Sequence, residues 1–130
     1  MSDAVWDASA LLAILRREPG WLEVAELAAH GHISAVNYCE VLSRLGDEGL
    51  DSSSADAILS YLELVIEPFG HDQARVAADL RPRTRHLGLS LGDRACLALG
   101  VTRQLAIFTA DRTWARLERA EVPVEIRVIR

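Results

Sequence analysis

The sequence predicts an α/β fold, a three-layer αβα sandwich in which a mainly parallel, short-stranded sheet lies between helices. Short apolar segments alternate along the chain with segments of helical spacing. Most of these apolar segments are continuous rather than alternating, which is typical of strands buried on both faces. The chain has 130 residues, 50% of them hydrophobic and 25% charged. This length and composition predict a single globular domain over residues 1–130, and we find no internal repeat or linker.

The first half of the chain is divided by turn signals. Pro19 and Gly20 end the first helical segment, and the serines of the segment 51–54 (DSSS) are predicted to cap a later helix. In order, the predicted elements are the strand Ala4–Trp6, the helices Ala8–Arg17 and Trp21–Ala29, the strand His32–Val36, and the helices Asn37–Leu45 and Ser53–Leu62.

The second half follows the same alternation. Pro82 is expected to end one helix, and Gly100 is expected to lie just past the end of the next. The last strand alternates polar and apolar residues, which predicts a position at the edge of the sheet. In order, the predicted elements are the strand Glu63–Pro68, the helices His71–Leu80 and Ser90–Leu99, the strand Leu105–Phe108, the helix Asp111–Ala120 and the strand Val124–Ile129.

The charge composition excludes several classes of enzyme. All 14 basic residues are arginine, so a P-loop, a Schiff-base site and any lysine-dependent phosphoryl-transfer site are impossible. The net charge of −5 argues against a protein that coats nucleic acid without specificity. A nucleic-acid substrate stays compatible with it, because bound cations reverse the local field of an acidic pocket.

Neither a membrane span nor a disulfide is predicted. No apolar run approaches about 18 residues, and the N-terminal segment lacks the basic and apolar regions of a secretion signal. The two cysteines, Cys39 and Cys96, are predicted to be buried free thiols rather than a disulfide or a metal-binding pair. We therefore expect a cytoplasmic protein with no membrane contact.

Four carboxylates stand where the chain passes into a helix, and three of them follow a predicted strand within four residues. They are Asp7 in VWDASA, Glu40 in NYCEV, Asp93 in SLGDRA and Asp111 in FTADRTW. Carboxyl ends of parallel strands converge on one crevice, where open α/β sheets place their ligands. Like charges brought together resist joint ionisation, so a shared Mg²⁺ or Mn²⁺ ion is the natural way to hold them. The pattern predicts phosphate or phosphodiester chemistry at a divalent-metal pocket.

Each acid also has an ordinary structural interpretation. Asp7 and Asp111 have the positions of helix N-caps, and Asp93 has the spacing of a capping box with Ser90. Glu40 could form a surface polar pair with Asn37, three residues earlier. Four independent caps that are all acidic and lie at one edge are less expected than one metal site. The four histidines lack zinc-ligand spacing and are predicted to be surface or turn residues.

The sequence resembles the motifs of PIN domains in the order of its acidic and polar residues: Asp7-x-Ser9, Asn37-x-x-Glu40, Asp93 and Asp111. The segments LSLGDRACLALG and TADRTW resemble VapC-type toxins of bacterial toxin–antitoxin pairs in particular. The resemblance implies a Mg²⁺- or Mn²⁺-dependent endoribonuclease, with transfer RNA as one plausible substrate. It also implies a homodimer bound by a cognate antitoxin. It assigns metal coordination to Asp7 and Asp93, with Glu40 and Asp111 completing the catalytic, metal-binding set. The implied supporting residues, which orient carboxylates or water, are Ser9, Asn37 and Thr109.

Two further groups of residues have open interpretations. The arginines of LRPRTRH, and those that directly follow two of the acids, are expected either to contact RNA phosphates or to be solvated or paired with acids. They are Arg81, Arg83, Arg85, Arg94 and Arg112. A set of leucines could pack against a second copy or an antitoxin, although core packing is the more common use. They are Leu42, Leu45, Leu59, Leu62 and Leu64.

Three other classes of protein are alternatives to a nuclease. A phosphatase of the haloacid-dehalogenase type needs a second acid where Ser9 stands and a lysine downstream, and a signalling receiver needs the same lysine. The chain has neither. The remaining alternative is a catalytically idle PIN-like module that binds RNA or a protein partner. A metal-dependent gain in thermal stability that is lost in Asp93→Asn would distinguish the nuclease from the idle module, since an ion that binds the native state stabilises it by mass action.

Overall fold

A computed structural model describes residues 3–129 and shows a parallel sheet of five short strands. The strands are β1 (Val5–Trp6), β2 (His32–Ser34), β3 (Val65–Glu67), β4 (Ile107–Thr109) and β5 (Ile126–Val128). Their order in the sheet is β3-β2-β1-β4-β5, so the first strand of the chain lies in the centre. All four pairings are parallel, and β5 is an edge strand as predicted.

The helices occupy both faces of the sheet. They are α1 (Ala8–Leu15), α2 (Trp21–Ala28), α3 (Ala35–Asp47), α4 (Ser52–Leu59), α5 (His71–Thr84) and α6 (Leu91–Arg103). Short 3₁₀ helices cover Ser60–Leu62, Arg85–Leu87 and Arg112–Arg116.

Two hydrophobic cores, one on each face, hold the layers together. Trp6 and Phe108 stack with ring centroids 4.4 Å apart and pack with α1 to α4. Val5 and Ile107, their neighbours in the strands, point to the opposite face and pack with α5 and α6. The predicted three-layer α/β fold is confirmed. Because β1 pairs with β4, the residues that follow these two strands are brought together.

Helix α5 does not end before Pro82 as predicted but continues to Thr84. The proline nitrogen has no hydrogen to donate, but neighbouring carbonyls find side-chain donors. Thr84 Oγ1 donates to the Leu80 carbonyl at 2.9 Å, and Arg94 Nη1 donates to the Ala77 carbonyl at 2.9 Å. These contacts keep the last turn of the helix in place.

Helix α6 also continues past its predicted end at Leu99. Gly100 lies inside the helix, where a Cβ atom would stand 2.5 Å from Ile107 Cδ1, so this glycine serves the close approach of helix and strand. The left-handed residue that ends the helix is Gln104, with φ 56°. The prediction that Gly100 lies past the end of this helix is therefore wrong.

Three smaller predictions about elements are corrected. The predicted helix Asp111–Ala120 is only a 3₁₀ helix over Arg112–Arg116, built around the fully buried Trp114. The cap of α4 is Asp51, which accepts a hydrogen bond from Ser54 N, and not one of the serines. Strand β2 stops at Ser34, because that residue already caps α3.

Three predictions about burial are also corrected or refined. Cys96 is buried as predicted, but Cys39 is exposed on α3. His32 is not a surface residue: it is half-buried in β2, and its Nδ1 lies 2.8 Å from Oε2 of the buried Glu67. The five leucines considered for an interface belong to the core or pack against it. Among residues 3–129, no helix is both long enough and apolar enough to cross a membrane.

Candidate active site

The four predicted acids line one cavity at the carboxyl edge of the sheet. Its volume is about 260 Å³, and Asp7, Glu40, Asp93 and Asp111 all contribute to its wall. We call it the acidic cavity. Asp7 follows β1, Glu40 lies on α3, Asp93 lies in the first turn of α6, and Asp111 is the second residue after β4. The structure therefore brings together the four residues that the sequence pattern selected.

Asp7 is the most buried of the four acids, with 4% of its surface exposed. Its Oδ2 atom accepts hydrogen bonds from Ser9 Oγ at 2.7 Å and from Thr109 Oγ1 at 2.9 Å. Burial raises the pKa of Asp7 from 3.8 to about 6, aided by the negative charges of Asp93 and Glu40 and opposed by the two hydrogen bonds. Although Asp7 has the N-cap position of α1, its side chain makes no capping hydrogen bond. Its position is therefore explained by the acidic cavity and not by capping.

The two predicted hydroxyl groups join the ends of β1 and β4. Ser9 Oγ accepts a hydrogen bond from Ala110 N at 2.9 Å, and Thr109 Oγ1 accepts one from Asp111 N at 3.1 Å. The two hydroxyl oxygens are 3.2 Å apart. Both hydroxyls therefore donate to Asp7 while they accept from the backbone, so the orientation of this carboxylate is set by groups that have little freedom to turn.

Asn37 performs the equivalent task for Glu40. Its Nδ2 atom donates to Glu40 Oε1 at 2.8 Å and to the Gly92 carbonyl at 2.9 Å, which links α3 to the start of α6. Gly92 lies against the carboxylate: a Cβ atom there would be 2.6 Å from both of its oxygens. The buried Oδ1 atom of Asn37 has no hydrogen-bond partner within the described part of the chain. Sequence reasoning missed Gly92, because no local pattern reports a contact between distant helices.

Asp93 and Asp111 both cap helices and line the acidic cavity. Asp93 forms the predicted capping box: Ser90 N donates to its Oδ2 at 2.9 Å, and its own N donates to Ser90 Oγ at 3.1 Å. Asp111 Oδ1 accepts from Thr113 N at 2.9 Å and from Thr113 Oγ1 at 2.7 Å. The capping interpretation and the site interpretation are therefore compatible for these two acids, since each carboxylate has a second oxygen.

Three charged residues of the cavity wall were not predicted: Arg16, Glu18 and Arg44. Arg16 Nη2 also pairs with Glu48 at 2.9 Å on the surface. Arg44 is four residues after Glu40 on α3, and this spacing, which places both on one helix face, would have allowed its prediction from the sequence. These arginines place positive charge at the wall of an otherwise acidic cavity.

A buried thiol lies behind the cavity. Cys96 is three residues after Asp93 on α6 and has no exposed surface. Burial raises the pKa of this thiol well above its ordinary value, and the charges of Asp7, Asp93 and Glu40 act in the same direction. Cys96 is not among the residues that line the acidic cavity.

The five predicted arginines do not form one group. Arg81, Arg85 and Arg94 line a second cavity of about 350 Å³, which has Ser90 in its wall. Arg83 instead points to the carbonyl of Glu121, with Nη1 at 3.4 Å from the oxygen. Arg112 is exposed at the start of its 3₁₀ helix and lines neither cavity.

The donor set of the acidic cavity suits a hard divalent cation. Carboxylate, hydroxyl and amide oxygens are the ligands that Mg²⁺ and Mn²⁺ prefer. Within residues 3–129, however, no three His, Cys, Asp or Glu side chains are arranged as a ready-made metal group. This agrees with Mg²⁺ chemistry, in which one or two carboxylates bind the ion and water or phosphate supplies the other ligands. Burial is the main cause of the raised pKa of Asp7, and a cation would relieve the smaller contribution from the negative charges of Asp93 and Glu40.

The fold and the cavity define an α/β protein with a cluster of carboxylates at the carboxyl edge of a parallel sheet. The family model described as "PIN domain" matches residues 4–120. The chain therefore belongs to the PIN domain family. A comparison with curated proteins gave no match.

Solved structures with the same fold include chains of toxin–antitoxin complexes. A chain of VapBC-5 from Mycobacterium tuberculosis, a member of the VapBC family of toxin–antitoxin systems, has a TM-score of 0.67 and 22% identity, covering 99% of this chain and 100% of that one. VapBC2 from Rickettsia felis, bound to a DNA fragment from its promoter, gives a TM-score of 0.72 and 17% identity, with 98% of each chain covered. A toxin–antitoxin complex from Klebsiella pneumoniae gives 0.68 and 19%, covering 86% of this chain and 90% of that one. At these identities the likeness establishes the fold.

Proposed function

We propose that this protein is a divalent-metal-dependent endoribonuclease that acts as the toxin of a toxin–antitoxin pair. The observation that carries the proposal is the convergence of Asp7, Glu40, Asp93 and Asp111 on one cavity of a PIN domain. Hydrolysis of a phosphodiester requires an activated water and stabilisation of charge on the phosphate, and an acidic cavity with a bound cation can supply both. Chains of toxin–antitoxin complexes share the fold, which supports the biological role.

The residues of the site have separate tasks in this proposal. Asp7 and Asp93 would hold Mg²⁺ or Mn²⁺, and Glu40 and Asp111 would complete the negative wall. The bound ion would lower the pKa of a coordinated water and stabilise negative charge on the phosphate. Ser9 and Thr109 orient the Asp7 carboxylate through their donated hydrogen bonds. Asn37 holds Glu40 in the same way.

Arginine at the cavity wall would compensate the charge of the substrate. Arg44 lies four residues after Glu40 on α3, and Arg16, which directly follows α1, also lines the cavity. A guanidinium group recognises a phosphate through two parallel hydrogen bonds and keeps its charge at any physiological pH. We assign to these two side chains the first contact with the RNA backbone as it approaches the carboxylates.

Cleavage of a pool of small RNAs by the purified protein tests the proposal. We expect discrete fragments in Mg²⁺ or Mn²⁺, none in EDTA, and none with Asp7→Asn or Asp93→Asn. Asp47→Asn, an exposed acid at the end of α3, is the matched control and should cleave normally. Equal fragments with EDTA, or from both site variants, would refute a metal-dependent carboxylate site. The fragment ends would identify the RNA and test whether it is transfer RNA.

One observation favours the second candidate, an idle PIN-like module that binds RNA or protein. Asp93 and Asp111 already accept capping hydrogen bonds, so each has a structural role without a metal. An idle module should show no gain in melting temperature with Mn²⁺. A working site should show a gain that disappears in Asp93→Asn, and asparagine caps helices well enough to keep the fold intact.

The proposed partners are a cognate antitoxin and a second copy of the chain in the cytoplasm. Large apolar side chains are exposed on α2 and near β3, where a partner could cover them: Leu22, Leu27, Ile58, Tyr61, Val65 and Ile66. Light scattering of the purified protein should give twice the chain mass. Growth arrest on expression, relieved by co-expression of the neighbouring small gene, would support the antitoxin.

A further inference from the structure

We propose that the cavity lined by Arg81, Arg85 and Arg94 binds a phosphate of the RNA backbone, next to the position where the RNA would be cut. We call it the arginine cavity. Arg81, Arg85 and Arg94 line its volume of about 350 Å³, and no carboxylate contributes to its wall. The proposal rests on the proposed ribonuclease function and extends it to how the substrate is held.

The three guanidinium groups are not neutralised by the protein. Among residues 3–129, no carboxylate lies within 4.0 Å of any of them, although acids outnumber bases by 19 to 14 in the sequence. Arg94 donates once, to the Ala77 carbonyl, and its buried Nε atom has no partner in the described structure. Arg94 is half-buried, and Arg81 and Arg85 are exposed beside it without an acidic partner among the described residues, so the site concentrates positive charge that an anionic ligand would compensate.

The cavity is built by the turn that joins α5 to α6. Arg81 lies in the last turn of α5, and Arg85 is four residues later, so both side chains lie on one face. Gly88, with φ 61°, reverses the chain. Arg94 then returns in the first turns of α6, held by its hydrogen bond to α5. The geometry of this connection, and not only the density of arginine in the sequence, gathers the charge.

A hydrogen bond links the lining of the arginine cavity to that of the acidic cavity. Ser90 lines the arginine cavity, and its backbone N donates to Asp93 Oδ2 at 2.9 Å. Asp93 lines the acidic cavity. RNA has one phosphate per nucleotide, so it can place one phosphate among the carboxylates and their cation and a neighbouring phosphate among the arginines. The volume of about 350 Å³ equals that of roughly ten water molecules, enough for a phosphate with part of its sugar.

An acidic peptide is the other anionic polymer that arginine could bind, because the guanidinium fork also fits carboxylates. The link between the two cavities favours RNA. An RNA that is cleaved in the acidic cavity can continue past Asp93 and Ser90 to the arginines, whereas a peptide gains nothing from this link. We therefore commit to RNA phosphate, and binding of a glutamate-rich peptide becomes an outcome that the experiment can distinguish.

The test measures binding of a fluorescent single-stranded RNA to the full chain carrying Asp7→Asn, in EDTA, over a series of salt concentrations. Added to that background, Arg81→Gln with Arg85→Gln removes two phosphate contacts. The slope of log affinity against log salt should fall by about 1.4, at about 0.7 for each contact with a single strand. Both side chains are exposed, so the fold should tolerate the change. Arg83→Gln is the matched control from the same segment and should leave the slope unchanged.

The outcomes separate this inference from the proposed function. Equal slopes for the double variant and the control, or no RNA binding at low salt, would overturn the arginine cavity as a phosphate site. So would arginine-dependent binding of a glutamate-rich peptide with no such dependence for RNA. Cleavage by the wild-type chain that is insensitive to Arg81 and Arg85 would leave the ribonuclease standing and remove the inference. RNA binding that depends on these arginines, in a chain that cleaves no RNA, would support the phosphate site and contradict the ribonuclease proposal.

Discussion

Replacing Asp7 with asparagine should stabilise the metal-free protein at neutral pH. The folded chain buries this carboxylate beside Asp93 and Glu40, and burial raises its pKa from 3.8 to about 6. Ser9 and Thr109 both donate to the same oxygen of Asp7. An asparagine amide oxygen can accept both hydrogen bonds, so the substitution removes the charge and keeps the contacts.

The size of the effect follows from the pKa shift. A rise of roughly two units corresponds to about 3 kcal/mol, at about 1.4 kcal/mol per unit. The sign is set by proton binding: between pH 3.8 and about 6 the folded state keeps a proton on Asp7 that the unfolded state has lost. The free energy of unfolding therefore falls as the pH rises through this window, and below it the penalty disappears.

Urea unfolding in EDTA, from about pH 4 to about pH 8, measures this directly as a difference between variant and wild type. The advantage of Asp7→Asn should be small at the acid end and grow to roughly 2–3 kcal/mol above pH 6. Asp47→Asn should show no such growth, because that acid is exposed. A difference that does not change with pH, or a variant less stable than wild type at neutral pH, would show that Asp7 is not destabilised by its surroundings.

Three further substitutions and reactions test other contacts. Gly92→Ala should abolish cleavage, because the new Cβ would stand 2.6 Å from the Glu40 carboxylate and displace it, while the free energy of unfolding should change by less than about 1 kcal/mol because alanine favours the helix. A larger loss in the free energy of unfolding would mean that the backbone moves instead of the carboxylate. Ser90→Ala should lower the free energy of unfolding by roughly 1 kcal/mol, because it removes the hydroxyl that accepts from Asp93 N. An unchanged melting temperature would show that the capping box does not stabilise the protein. Of the two thiols, only that of Cys39 should react with a maleimide in the native state, and two modifications by mass spectrometry would contradict the burial of the other.

The acidic cavity could be predicted from the sequence because a general rule of parallel sheets places it. Residues after β1 and β4 must meet once these strands pair, and Asp7 and Asp111 stand at those positions. The supporting hydroxyls of Ser9 and Thr109 were placed by their resemblance to known motifs, and the structure shows both donating to Asp7.

Contacts between elements distant in sequence could not be predicted in this way. Pro82 carries a local signal to end a helix, but a side chain from α6 supports the turn around it. Gly100 reads as a helix terminator, but it lies inside α6 because Ile107 packs against it. The grouping of Arg81 and Arg94 depends on how α5 returns into α6, and neither residue carries that information.

The central position of the first strand has a consequence for protein synthesis. Thr109 donates to Asp7 across 102 positions of sequence, so the acidic cavity cannot form on a nascent chain until nearly all of it has been translated. At roughly 5–20 residues per second, this separates the synthesis of the two residues by about 5–20 s. Contacts so distant in sequence also close slowly in folding. Each ribosome would therefore carry an inactive chain until the end of translation, which leaves a period for a partner to be made before the site exists.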